Sequence, residues 1–277
     1  MEIKLPVVIL SDLHVAHPAS LIRSPEQVAA LIPENGTVIF NGDTVEMRSR
    51  LDRDRGRENR DRLGALAAGK GTKAIFLTGN HDPYVSETHH LELWGGRVLV
   101  THGDILFHAV SPWSHESVHI AEEHDRLLRD LSPEQQGHFE TRLLTAKRAS
   151  QILEKLYKAE QSAVSVARNI MMEFIPPWRP LRVFRYWKQA PGKANEMACR
   201  YRPEATLVMV GHLHHHGVWD FPGRTIVNLG CYFPFVGRLM ASLSEDVVEV
   251  RRVERKGWDF FPGKVVRRFG RGTGEWE

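Results

Sequence analysis

A chain of 277 residues, 42% hydrophobic and 26% charged, is long enough for one large domain or two modest ones and carries no disorder signature. Its net charge of +3 does not by itself call for nucleic acid or an acidic membrane. Two cysteines, Cys199 and Cys231, exclude a disulfide framework and a paired-cysteine zinc motif; with no secretory leader in "MEIKLPVVIL" and no apolar run of about 18 residues, a cytoplasmic setting is expected.

In chain order, five short apolar runs predict buried strands: "LPVVIL" (5–10), "TVIF" (37–40), "KAIFL" (73–77), "RVLV" (97–100) and "TLVMV" (206–210). Each is rich in Val and Ile and too short for a buried helix. Helical or mixed segments between several of them fit a layered α/β architecture. The run "RSRLDRDRGRENRDRL" (48–63) alternates in charge sign and reads as a solvated loop and helix start. From about Ser114 to Met197 the pattern is mostly helical. There "SPEQQ" (132–136) offers Ser132 as an N-cap, Pro133 at the first helical position and Gln135 at the capping-box position. Ile152, Leu153, Leu156, Tyr157, Val164, Ala167, Met171 and Phe174 recur at spacings close to three and four, as in an amphipathic helix, which Pro176 and Pro177 end. Residues 114–204 are therefore expected to form a helical insertion, a lid, within a single domain spanning 1–277. Beyond it, "RTIVNLG", "RLMASLS" and "VVEVRRVE" read as further strands.

Each of the five runs is followed at once by residues of metal-ligand type. Asp12 and His14 follow the first in "SDLH", and Asp43 the second in "NGD". Asn80, His81 and Asp82 follow the third in "TGNHD", His102 and Asp104 the fourth in "THGD", and His212 and His214 the fifth in "GHLHHH". Sites in open α/β sheets form at the carboxyl ends of strands, where loops from distant parts of the sequence converge. Gly42, Gly79, Gly103 and Gly211 let the backbone turn there and approach closely. A set of carboxylate, imidazole and amide oxygen without thiolate suits Mn, Fe or Zn in a catalytic role rather than a closed structural zinc. Seven of these as ligands, Asp12, His14, Asp43, Asn80, His102, His212 and His214, would be too many for one catalytic ion and about right for two. His17 and His108 carry no assignment, and His215 and His216 read as loop residues.

The order D-x-H, G-D, G-N-H-D, H-G-D, G-H-x-H, running from Asp12 to His214, resembles the calcineurin-like metallophosphoesterase superfamily. The resemblance implies a four-layer α-β-β-α sandwich, two sheets packed face to face with helices outside. It implies two divalent ions at the strand ends, Mn foremost, with Fe or Zn as alternatives. Asp12, His14, Asp43 and His214 would hold one ion; Asp43, Asn80, His102 and His212 would hold the other; Asp43 would bridge them. The implied reaction is hydrolysis of a phosphoester or pyrophosphate bond by a metal-activated hydroxide. His81 matches the family histidine that stabilises the transition state or protonates the leaving group, and Asp82 is the candidate to orient it. Asp104 is expected to support His102.

The insertion between His102 and His212 resembles that of the bacterial UDP-2,3-diacylglucosamine pyrophosphatase branch. That implies a UDP-linked lipid precursor as substrate and a cap over its acyl chains. The stretch "FIPPWRPLRVFRYWK" (174–188) sets Trp178, Phe184, Tyr186 and Trp187 among Arg and Lys with no acid. Such a segment suits a membrane interface or an anionic amphiphile, and equally suits packing under a lid. Two departures stand out: His81 occupies a position where that branch usually has Arg, and "ILFHAV" (105–110) carries no acidic run. One rival is a nucleotide or nucleic-acid phosphodiesterase, in which "RRVERKGWDFFPGKVVRRFGR" (251–271) tracks phosphates while Trp258, Phe260 and Phe261 stack on bases. Another is a non-catalytic protein-binding scaffold, against which the full ligand set argues. The expected partner is a phosphorylated small-molecule or lipid-linked substrate rather than nucleic acid, with peripheral contact to the inner face of the membrane through 174–188.

Overall fold

The computed structural model of the chain describes residues 3–111, 116–152 and 179–271. Strands β1 (Val7–Leu10), β2 (Thr37–Asn41) and β3 (Lys73–Leu77) pair in parallel. On the other side of β1, β9 (Leu239–Leu243), β10 (Val247–Lys256) and β11 (Asp259–Gly270) extend this sheet antiparallel. The second sheet runs β4 (His90–Leu93), β5 (Val98–Thr101), β6 (Leu207–Val210), β8 (Arg224–Asn228) and β7 (Gly217–Phe221), with β5, β6 and β8 parallel.

The two-residue period of a strand explains the layers. Val7 and Ile9 of β1 join Val100, Met209 and Val227 of the other sheet in one core, so the sheets pack face to face. Val8 and Leu10 point the opposite way, toward Val28 of a 3₁₀ helix (Pro25–Leu31) and Leu63 and Ala67 of α1 (Arg50–Gly69). On the far side, Leu99, Val208, Val210 and Ile226 are covered by Phe139 and Leu143 of α4 (Phe139–Ser150) and by Ala194 and Met197 of α5 (Arg179–Tyr201). Helix, sheet, sheet and helix thus make four layers. Each fully buried Leu, Ile, Val or Phe in them contributes roughly 1.5–3 kcal/mol relative to exposure.

The five apolar runs are β1, β2, β3, β5 and β6, with ends shifted by at most a few residues. β4, β7 and β11 are not among the five runs. Their half-exposed positions break the continuous apolar run by which a central strand is recognised. The charged run 48–63 becomes most of α1, begun by Ser49, whose hydroxyl accepts from the Asp52 N–H at 3.1 Å. The helix runs to Gly69 because its apolar contacts, Leu63, Leu66 and Ala67, lie in its last two turns, where the charged run had ended.

Between β5 and β6 the described residues form α2 (Ser117–Arg129), α3 (Pro133–Gly137), α4 and α5. α3 begins with the Ser132–Gln135 capping box. The expected amphipathic helix beyond Ile152, its proline stop and Trp178 lie outside the described residues. No helix among the described residues is long and apolar enough to cross a membrane.

Candidate functional site

Because β1, β2 and β3 are parallel, as are β5 and β6, their carboxyl ends and the loops after them lie on common edges. The loops interlock through the backbone: Asp12 N–H donates to Gly42 O (3.1 Å), His14 N–H to Asp43 O (2.9 Å) and Gly211 N–H to His102 O (2.8 Å). The fit is tight. Gly42 has φ +74°, and a side chain there would meet the His102 ring at 2.6 Å; one on Gly79 would run into Asp43 Oδ1. Five of the seven expected ligands, Asp12, His14, Asp43, His212 and His214, have φ between +46° and +68°. A left-handed non-glycine residue costs roughly 1–2 kcal/mol, so strain is concentrated on these side chains.

Two groups of side chains converge. Asp12, His14, Asp43 and His214 bring ligand atoms within 4.8 Å of one another, and so do Asp43, His102 and His212. Asp43 is common to both. In the first group, His14 Nε2 lies 3.3 Å from His214 Nε2 and 3.8 Å from Asp43 Oδ2, and His214 Nε2 lies 3.4 Å from Asp12 Oδ1. In the second, His102 Nε2 lies 3.3 Å from Asp43 Oδ1 and 3.3 Å from Asn80 Oδ1. Asp12 is held by the His212 N–H (2.9 and 3.0 Å to its two oxygens) and the Ser11 hydroxyl (2.6 Å).

The arrangement has the chemistry of a cation site. His102 Nδ1 donates to Asn41 O at 3.1 Å, so a neutral ring turns its Nε2 lone pair toward two acceptor oxygens. Only a proton or a cation between them relieves that repulsion. The local field says the same. Burial opposes charge on His102, yet the Asp43 carboxylate, followed by Asp12 and Asp104, raises its pKa to about 9. Burial would raise Asp43, but His102, His81 and His14 hold it well below the usual carboxylate range. Burial, then His102, lowers His212 to about 4, which keeps it neutral as a ligand must be. Its Nε2 donates to the Val110 carbonyl at 2.9 Å, which leaves Nδ1 as the nitrogen to face an ion. Nitrogen and oxygen donors without thiolate suit Mn, Fe or Zn.

His81 stands beside these groups, its N–H donating to Asp43 Oδ1 at 2.8 Å and its Nε2 3.9 Å from Asp43 Oδ2. The expectation that Asp82 orients this ring is corrected by the structure. Asp82 instead accepts the backbone N–H groups of Asp43 (2.9 Å), Thr44 (2.7 Å), Val45 (3.3 Å) and Gly79 (2.7 Å), pinning two ligand loops together. The chain bends at residues 80–81, and the two adjacent side chains take different partners. Burial and the nearby Asp43 raise the pKa of Asp82 to about 6. The residue that orients His81 is Glu46, whose Oε2 accepts from Nδ1 at 2.8 Å. Burial opposes ionisation of Glu46, but Arg48 at 3.0 Å and His81 hold its pKa well below the ordinary value. Its one sequence signal was its place three residues after Asp43.

Other side chains fall into place around this core. Asp104 supports the His102 loop through an ion pair with Lys147 at 2.5 Å. His17 lies 3.9 Å from Glu46 and stacks on Phe233, whose ring also lies 4.8 Å from those of both His14 and His214. Phe233 forms a roof over the first group that no sequence pattern announced. His108 stacks on His124 and pairs with Asp125 at 2.9 Å, on the α2 side. His215 stacks on Trp187 at 4.8 Å, and the His216 ring fills the space over Gly237.

Residues 5–216 match the protein family described as calcineurin-like phosphoesterase. No curated protein matches the chain. Among solved structures, it is similar to Vacuolar Protein Sorting 29 from Cryptosporidium parvum, with 11% identity over 97% of this chain and 100% of that one and a TM-score of 0.45. It is also similar to a conserved uncharacterized protein of Streptococcus pneumoniae TIGR4, described as a predicted phosphoesterase (16% identity, 98% and 99% covered, TM-score 0.36). A third is the cold-active protein-tyrosine phosphatase of a psychrophilic Shewanella species (13% identity, 95% and 81% covered, TM-score 0.35).

Proposed function

The chain belongs to the calcineurin-like phosphoesterase family, and on that premise we propose that it is a metal-dependent hydrolase of phosphoester or phosphoanhydride bonds. The observation that carries the proposal is the sharing of Asp43 by two ligand groups, with His81 at their border. Asp12, His14, Asp43 and His214 would hold one divalent ion, and Asp43, Asn80, His102 and His212 a second, with Mn preferred and Fe or Zn as alternatives. When bound, two such ions supply Lewis-acid stabilisation of phosphoryl oxygens and make water nucleophilic near neutral pH.

The chain's own side chains do the rest. Asn41 O and Val110 O fix the His102 and His212 rings, so that no reorganisation is needed during the reaction. Glu46 accepts from His81 Nδ1 and turns Nε2 toward the cluster. As water adds to phosphorus and the bond to the leaving oxygen breaks, a doubly protonated His81 would give that oxygen its Nε2 proton, and the proton that the water loses would return to the ring.

A UDP-linked lipid substrate is a finer reading with no support among the described residues. Trp187 is stacked on His215, Tyr186 packs against Phe107, and Trp178 lies outside the description. The nucleic-acid rival loses part of its basis. Phe260 is fully buried rather than open to bases, and Arg251, Arg268 and Arg267 are paired with Glu249 and Asp220. Trp258 alone of the three aromatics is widely exposed, at the β10–β11 turn.

The test is elemental analysis of the purified protein together with Mn-supported assays on p-nitrophenyl phosphate, bis-p-nitrophenyl phosphate and a UDP-linked lipid pyrophosphate. About two metal equivalents and turnover of any of these is the expected result; the preferred substrate then ranks monoester, diester and pyrophosphate. Folded protein with neither metal nor turnover would replace this reading with that of a non-catalytic scaffold.

A further inference from the structure

Lys147 lies inside α4 and is only 2% exposed. Its Nζ donates to Asp104 Oδ2 at 2.5 Å and to the Thr78 carbonyl at 2.7 Å. Asp104 stands two residues after His102, and Thr78 two residues before Asn80. One ammonium therefore grips both strand-end loops that carry these side chains. The Thr78 carbonyl lies just past Leu77, the last residue of β3 in register with β2, where the sheet no longer supplies a donor.

The same helical segment reaches the third side chain of the second group. Val110, whose carbonyl holds His212, is buried in a cluster with Ile120 of α2 and with Ala146 and Ala149 of α4. Asn80, His102 and His212 are thus all braced from helices within 117–150. The bonds of Asp12 and His14 run elsewhere, to Ser11, Gly42 and Asp43 in the loops of the first sheet and to His212 and His214. A buried ammonium carries an effective desolvation penalty of several kcal/mol, and a well-packed apolar residue is often at least as stabilising in its place. Fold stability alone gives no reason for a lysine here; simultaneous charge-assisted bonds to two ligand loops do.

We infer that Lys147 is a positioning residue, and that the helical segment 117–150 is a fixed buttress of the second metal position rather than a lid that lifts from it. The inference rests on the two-ion reading above. Lys147 sets the separation of the Asn80 and His102 loops, and through it the affinity of the Asp43–Asn80–His102–His212 position.

The apo protein is titrated with Mn²⁺ by calorimetry, and the Mn(II) EPR spectrum is followed, since a coupled pair of ions differs from isolated ones. Wild type should take up about two ions. Lys147→Met keeps the apolar stem and removes the ammonium. It should weaken the tighter binding step, uptake at the Asp43–Asn80–His102–His212 position, about tenfold or more and leave the looser step unchanged, with more of the free-Mn²⁺ signal persisting through the first equivalent. Both steps unchanged in folded Lys147→Met overturns the inference and makes Lys147 a staple of the fold. If that variant does not fold, the Lys147→Gln/Asp104→Asn pair is read in the same way. Its neutral, shorter side chain cannot reach both acceptors, so the tighter step should again weaken, and an unchanged tighter step again overturns the inference. Wild type that binds no Mn²⁺ overturns the two-ion reading and this inference together, so the two failures are told apart.

Discussion

The two halves of the site are built differently. Asn80, His102 and His212 are each no more than 2% exposed, and the two rings are each aimed by a backbone carbonyl. Across Asp43, the other half is looser. The His214 side chain is 24% exposed, His14 Nδ1 is buried without a hydrogen-bond partner, and the roof is a single ring, Phe233. In one half both rings are aimed by backbone carbonyls, whereas in the other the His214 ring is partly open to solvent. A preorganised site binds more tightly because less ordering accompanies binding. The contrast therefore predicts one retained ion and one that exchanges.

The largest effect should come from Asp43→Asn, which touches both halves: a loss on the order of 10³-fold in turnover, with metal content reduced. Near-normal turnover at normal metal content would remove the shared role of Asp43. Next come His102→Ala and His214→Ala, compared by metal analysis after dialysis against a chelator. His214→Ala should keep about one equivalent, while His102→Ala should keep less than one. The reverse order would invert the comparison. In wild type, chelation should release metal in two phases.

Glu46→Gln tests the border between the halves. It keeps a hydrogen-bond acceptor beside His81 and removes the charge, so turnover should fall roughly 10²-fold with both ions retained. Loss of metal instead would make Glu46 a ligand, a role its position near His14 and His81 also permits. Phe233→Ala opens the roof of the looser half. It should speed metal release from that half and change KM for aryl phosphates several-fold, leaving the tight ion in place; unchanged release kinetics would show that the roof is irrelevant to exchange.

The smallest effect belongs outside both halves. Glu26 pairs with Arg62 at 2.7 Å and accepts from the Ser24 hydroxyl, which with Arg62 brings its pKa down to about 2 from 4.5. A lowered acid stabilises the fold above its unfolded pKa and loses that contribution as pH falls through the folded one. Glu26→Gln should therefore flatten the acid side of the stability curve between about pH 4.5 and 2. Solvent screening keeps its effect at neutral pH below about 1 kcal/mol, read as a small shift in Tm.

The chain's sequence by itself determined β1, β2, β3, β5 and β6 and the chemical type of the residues after them. Both are local facts: a continuous apolar run marks a strand buried on two faces, and a strand's end is where a site forms in a parallel sheet. Asp12, His14, Asp43, Asn80, His102, His212 and His214 were legible for that reason, as was the neighbourhood of His81. Only the tertiary structure decided which residues serve them. Asp82 is adjacent to His81 yet bonds to the backbone of the Asp43 loop, while Glu46, 35 residues earlier, takes the imidazole. Lys147 reads in sequence as one more cation on an exposed helix, and it becomes a buried anchor only because Asp104, 43 residues away, arrives beside it. Phe233 roofs two histidines that stand 200 residues apart in the chain. A run or a period is carried by neighbours along the chain, whereas a supporting contact is fixed by the packing of whole layers, and no window of sequence contains both of its partners.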